Sequence, residues 1–245
     1  MVLGGAARCW GSNYDGQLGN GSYGAAQHYD PTQQRWVYDS VAVVSLGSGM
    51  QAAGAGYDHA CASLAAGGVR CWGYNTYGNL GTGSSSSFTE ATPVAVVGID
   101  EVVTALAPAY YHTCALTEAG GVKCWGYGYY FGQGSNIYTA TDITGLTSGV
   151  ASLATTEEGT CALMQNGEVR CLGANGNGQL GFGGGWTGTP TALSLPGKAV
   201  SVALHEEHGC AALENGDVYC WGQDYRGQVS GHYLLTPRLV LDIGP

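Results

Sequence analysis

The chain has 245 residues, of which 43 are glycine and only 7 proline, and sets 8 Lys+Arg against 18 Asp+Glu for a formal net charge of -10. Glycine at this level without a triplet period excludes a collagen helix and points to many turns, and cations this few and this scattered exclude a phosphate-binding surface, and with it nucleic acid as a partner. No run approaches the ~18 apolar residues of a membrane helix, so membrane insertion is not expected.

The first recognisable element is Arg8-Cys9-Trp10-Gly11, the second half of a unit that recurs in full downstream. Aligned on Arg70-Cys71-Trp72, it puts Gly5 at a turn, so the chain is expected to start inside a hairpin whose first strand is missing. Cys9 is then an odd cysteine, which points to a bond beyond this chain or to a truncated one. Met1 to Ala7 is too short for a secretory signal. Next comes Asn13-Tyr14-Asp15-Gly16-Gln17-Leu18-Gly19, where glycines at fixed offsets mark a turn and the leucine is expected to plug the core. Asn20-Gly21-Ser22 is a glycosylation sequon in a loop. The excursion from Tyr23 to Ser40 carries His28, Trp36 and Tyr38, and a long loop with such aromatics predicts a contact site.

Short β-branched runs bounded by glycine, proline and serine read as strands at Val41 to Leu46, Pro93 to Val97, Val102 to Leu106, Val150 to Leu153 and Ala199 to Leu204. Between them stand four hairpins whose loops, Ala65-Ala66-Gly67, Glu118-Ala119-Gly120, Gln165-Asn166-Gly167 and Glu214-Asn215-Gly216, all end in glycine. A three-residue hairpin loop needs a left-handed last member, which glycine adopts freely. In that register Cys61 faces Cys71, Cys114 faces Cys124, Cys161 faces Cys171 and Cys210 faces Cys220. A two-residue turn at Asn166 would set Cys161 opposite Leu172 and put the sulfurs on opposite faces. Each pair falls at a non-hydrogen-bonded site, where Cα atoms approach to about 4.5 Å. Four intra-hairpin disulfides follow, each worth on the order of 2 to 3 kcal/mol in the chain-entropy account. Such bridges belong to an oxidising compartment, extracellular or cell-surface, with an export signal expected upstream.

After each hairpin the glycine-spaced loop returns, as Asn75 to Gly81 and Asn175 to Gly181, with degenerate copies at Tyr129-Tyr130-Phe131-Gly132-Gln133-Gly134 and Asp224 to Ser230. Each unit thus offers about four strands, and the recurring cysteines lie 62, 53, 47 and 49 positions apart. That period is close to the roughly 40 to 50 residues of a propeller blade. The reading is an all-β, single-domain β-propeller of four-stranded blades, with about five repeats at 1–57, 58–110, 111–157, 158–206 and 207–245. The first and last are incomplete, as in a segment of a larger ring.

The alternation carried by Ala109 to Leu116, Gly120 to Gly126 and Asn175 to Gly181 resembles the regulator of chromosome condensation repeat. That resemblance implies a propeller, often seven-bladed, in a family that includes an exchange factor for a small GTPase, protein inhibitors of enzymes and exported modules. The cysteine pairs are similar to those of the exported branches. Leu172 stands where the pattern has Trp, and Gly159 where it has His.

His59, His112 and His208 each lie two residues before a cysteine but are spread one per repeat, so no metal site is expected and each is read as hydrogen-bonded within its own blade. Trp10, Trp72, Trp125 and Trp221 share one position and are read as packing. The pairs Glu157-Glu158 and Glu206-Glu207 are read as a solvated acidic patch on the axis or on a rim. No nucleophile motif, phosphate loop or cofactor fingerprint is present, so neither catalysis nor a cofactor is expected. The functional signal lies in aromatic loops: of Tyr14, Tyr74, Tyr77, Tyr127, Tyr129, Tyr130, Phe131 and Tyr225 several are expected on one propeller face, and Trp36 and Tyr38 of the excursion are read as a further contact site. The expected function is a disulfide-stapled, exported scaffold that binds a protein partner, or further copies or segments of the same protein. Two alternatives are a GTPase exchange factor, implied by the resemblance alone, and a carbohydrate-binding propeller built on the tyrosines.

Overall fold

The computed structural model describes residues 7–24, 27–46, 49–85, 88–223 and 234–240. Twenty strands are formed among the described residues. The first four are β1 (Arg8–Cys9), β2 (Gln27–Asp30), β3 (Arg35–Tyr38) and β4 (Val41–Ala42), of which β1 pairs with β4 and β2 with β3 in two-stranded sheets.

Four antiparallel four-stranded blades follow. In chain order they are β5 (Met50–Ala55), β6 (His59–Leu64), β7 (Val69–Tyr74) and β8 (Thr89–Ala95); then β9 (Val103–Pro108), β10 (His112–Thr117), β11 (Val122–Gly126) and β12 (Ile137–Asp142). The next is β13 (Val150–Thr155), β14 (Gly159–Met164), β15 (Val169–Asn175) and β16 (Gly185–Ala192), and the last β17 (Ala199–His205), β18 (His208–Leu213), β19 (Val218–Gly222) and β20 (Leu234–Leu239). The first strands of successive blades face one another, β5 against β9, β9 against β13 and β13 against β17. This is the propeller arrangement the repeat period predicts.

The predicted hairpin register holds in every blade. Cys61 pairs opposite Cys71, Cys114 opposite Cys124, Cys161 opposite Cys171 and Cys210 opposite Cys220, and all four pairs are joined as disulfides with Cα separations of 4.0 to 4.2 Å. The loop glycines Gly67, Gly120, Gly167 and Gly216 take φ of +80° to +95°, the left-handed region the three-residue loop requires.

The core lies between blades rather than within them. Cys61, Val69, Cys71 and Leu80 of one blade pack with Val103, Ala115 and Trp125 of the next, and the pattern repeats with Leu116, Val122 and Ile143 against Val150, Ala162 and Leu172. A lone blade would leave both groups wet, so stacking creates the hydrophobic contribution.

The glycine of each Cys-Trp-Gly motif has a separate cause. Gly73, Gly126, Gly173 and Gly222 lie at φ of +97° to +116°, where the third strand shifts register against the fourth. A Cβ on Gly126 would overlap the carbonyl oxygen of Tyr111, and that carbonyl accepts the Tyr127 N–H at 2.8 Å. Gly126→Ala therefore combines a left-handed side chain with a backbone clash. The expected loss of about 3 kcal/mol or more should appear as a lower urea midpoint.

Several expectations are corrected here. Trp72, Trp125 and Trp221 are buried, but Trp10 is 63% exposed: each buried indole donates Nε1–H to a loop carbonyl of the blade before it, namely Gln17 O, Asn79 O and Gln179 O. No such bond is made by Trp10 among the described residues. Phe131, expected in an exposed binding loop, is 0% exposed. It sits at the end of a 3-10 turn, Gly128–Phe131, and packs with Leu172. Where Trp is replaced by the smaller Leu172, the preceding loop sends a larger plug inward. Tyr225 lies outside the described residues.

Candidate functional site

Antiparallel blades put two sets of loops at the same end of the molecule: the one joining first and second strands, and the one following the third. The second set is held by its buried asparagines, since Asn13, Asn75 and Asn175 each accept through Oδ1 from the N–H of the plugging Leu18, Leu80 and Leu180 at 2.8 to 3.0 Å. The first set occupies one position in each blade, filled in turn by Tyr57-Asp58, Tyr110-Tyr111, Glu157-Glu158 and Glu206-Glu207.

Together these loops form a continuous aromatic belt. Tyr57 stacks on Tyr110 at 4.3 Å between ring centroids, Tyr110 meets Tyr111 edge-on at 4.1 Å, and Tyr111 packs on Tyr77 at 4.6 Å. From Tyr77 the belt continues to Tyr127 at 5.3 Å, Tyr130 at 4.8 Å and Tyr129 at 6.5 Å, ending where Tyr129 stacks on Trp186 at 5.3 Å. Contacts in the 4.5 to 7 Å range contribute roughly 0.5 to 1.5 kcal/mol each beyond buried area, so the rings are pre-arranged. Tyr57, Tyr129 and Trp186 are still 65%, 42% and 42% exposed.

The belt ends against the carboxylates. Burial pushes the Tyr130 hydroxyl up to about 12, with Glu158 nearby adding to it, and burial followed by Glu206 and Glu158 holds the Glu157 carboxyl above the usual range. Glu158 accepts from Gln179 Nε2 at 3.3 Å and Glu207 from Asn177 Nδ2 at 3.1 Å.

The predicted site residues are thus divided. Tyr77, Tyr129 and Tyr130 come together in the belt; Tyr14 stands apart, 78% exposed on the same end. Trp36 and Tyr38 lie on the β2–β3 hairpin, where Trp36 meets Tyr29 edge-on at 5.7 Å and His28 Nδ1 lies 2.9 Å from Asp39. The excursion's residues 27–38 therefore form an exposed hairpin arm. Tyr57, Tyr110, Tyr111 and Trp186 were missed. The signal for the first three is strand parity, since residues just before the histidine position must share an end with the loop after Trp-Gly.

His59 and His112 bond between blades, not within them. His59 Nε2 lies 2.7 Å from Thr113 Oγ1 and His112 Nε2 3.0 Å from Thr160 Oγ1. The Thr113 hydroxyl donates to Asn79 O, so His59 is the donor and its buried Nδ1 keeps no partner. Where His gives way to Gly159, the matching residue one blade on is Gly209, and Leu180 and Trp221 fill the space. Among the described residues no group of three His, Cys, Asp or Glu could hold a metal ion.

Cys9 is free and half-buried, lining a cavity of about 470 Å³ with Met50, Ala60 and Trp72. Asn20 accepts through Oδ1 from the Ser22 hydroxyl at 2.9 Å within its sequon. No helix among the described residues is long and apolar enough to cross a membrane.

The fold and this loop-bearing face define a β-propeller built from disulfide-pinned repeats. Two models of the regulator of chromosome condensation (RCC1) repeat match the chain, one at 52–79, 110–133 and 200–228 and the other at 66–116, so the chain carries repeats of that family. It is similar in fold to yeast RCC1 (Prp20) bound to Kap60, with a TM-score of 0.77 and 21% identity over 98% of this chain and 57% of that one. Prp20p from Saccharomyces cerevisiae, described with its binding properties to Gsp1p and histones, gives 0.75 and 20% over 98% and 60%. Human WBSCR16 gives 0.73 and 19% over 94% and 61%. The chain spans about 60% of the length of these structures.

Proposed function

We propose that the chain is an exported, non-enzymatic interaction module that binds another protein through its tyrosine belt. The belt is the observation that carries this reading: an eight-ring surface, pre-packed yet open at Tyr57, Tyr129 and Trp186, is the composition of a recognition surface. Tyrosine supplies large rigid area at low entropic cost and keeps a polar tip. The propeller supplies a rigid frame, and the four disulfides fit an oxidising compartment. Extracellular placement, glycan attachment at Asn20 and an external bond at Cys9 belong to the same reading.

Selection of a random twelve-residue peptide library on the immobilised chain tests it. Enriched peptides are expected to compete with one another and to lose binding on a Tyr57→Ala/Tyr129→Ala variant; enriched binders indifferent to both changes would move the site elsewhere. Intact mass without reductant tests the compartment, since finding all four pairs reduced in protein from its native location would return the intracellular exchange-factor reading.

A further inference from the structure

The first-loop position grades around the ring from aromatic to acidic: Tyr57-Asp58, Tyr110-Tyr111, Glu157-Glu158, Glu206-Glu207. The belt therefore runs between two groups of carboxylates on one face. Asp58 lies near Asp15 at the Tyr57 end, and Glu157, Glu158, Glu206 and Glu207 lie beyond Tyr130 at the other. Three of the described cations are engaged away from this face. Lys123 lies 3.0 Å from Asp142 and 3.7 Å from Glu101, Arg170 lies 2.9 Å from Glu168, and Arg8 donates to Ser40. Among the described residues no Lys or Arg forms an ion pair with any of the six carboxylates of this face. Burial first and neighbouring carboxylates second raise the Asp58 and Glu157 carboxyls, and an incoming cation would relieve the repulsion between carboxylates.

Resting on the interaction-module reading, we propose that the belt receives an arginine-bearing polypeptide segment, with guanidinium groups on the tyrosine faces and against the flanking carboxylates. An aromatic face is negative and attracts a cation, more so when partly desolvated as here. Arginine fits better than lysine because its planar fork stacks on a ring and bonds a carboxylate bidentately at once. The net charge of -10 would steer a basic segment toward the molecule and repel an acidic one.

Fluorescence anisotropy with labelled dodecapeptides of Gly and Ser, carrying four Arg, four Lys, four Glu or no charge, tests the assignment on the whole chain. The Arg peptide is expected to bind more tightly than the Lys peptide, the other two not measurably, with affinity falling as salt rises. A Glu157→Gln/Glu158→Gln/Glu206→Gln/Glu207→Gln variant should weaken the Arg peptide by about tenfold or more. A Glu118→Gln/Glu214→Gln variant at the opposite end, with an unchanged thermal midpoint in both, should not. Equal binding of the uncharged peptide, or indifference to the four Gln changes, would overturn the proposal. If library-selected peptides need Tyr57 and Tyr129 but are uncharged or acidic, the cation assignment falls and the interaction face stands. If no peptide uses the belt, both fall.

Discussion

Trp125→Ala is expected to lower the unfolding free energy by about 3 to 5 kcal/mol, whereas Trp10→Ala, at the same motif position, should change it by less than about 0.5 kcal/mol. Trp125 is 0% exposed and Trp10 63%. The buried indole packs with Cys61, Leu80 and Val96 of the blade before it and donates Nε1–H to Asn79 O at 2.8 Å. Truncation opens a cavity at a blade junction and removes that donor, though the Thr113 hydroxyl still reaches the same carbonyl at 3.4 Å. Cavity formation is thus the larger part of the cost. Trp125→Leu should fall between the two, because leucine is accommodated at Leu172 only where Phe131 enters from the preceding loop. Urea unfolding of the three variants checks this, and equal losses from Trp125→Ala and Trp10→Ala would refute the inter-blade account of the tryptophan.

The contrast shows which features could be read from sequence. Hairpin register was legible because two independent constraints share one parity: the glycine that ends each three-residue loop and the cysteines ten residues apart, as in Cys114 and Cys124. Repetition then made the propeller legible, since a hairpin with Cys, Val and Trp on its faces cannot bury them alone. Contacts between blades were not legible. The His59–Thr113 and His112–Thr160 bonds join positions 54 and 48 residues apart, and nothing local to His59 indicates whether its partner lies in its own blade or the next. Phe131 was misplaced for the same reason, as its inward turn answers a change at Leu172 in another blade. The belt was half legible: Tyr77, Tyr129 and Tyr130 follow the third strand, but Tyr57 and Tyr110 precede the second, and only the antiparallel path brings the two loop sets together.

Those two histidines set the acid limit of the fold. Burial drives the His59 imidazole down to about 4 and the His112 imidazole down to about 3, from an ordinary value of 6.5. Both are neutral in the folded state at neutral pH, whereas the unfolded chain takes up a proton on each as pH falls through 6.5. The unfolded state therefore binds more protons between 6.5 and about 4, and stability drops with falling pH across that window, by up to about 1.4 kcal/mol per pH unit for each histidine. Summed, the loss from pH 7.5 to 4.5 is on the order of 5 kcal/mol. Asp58 and Glu157 act in the opposite sense, because burial raises their carboxyls and protonation relieves the folded state, so they blunt the decline. A His59→Gln/His112→Gln variant keeps an N–H donor for each threonine but cannot charge. Its unfolding free energy should be lower than the parent's at pH 7.5 and nearly flat down to pH 4.5, and a decline as steep as the parent's would show that other groups govern acid unfolding.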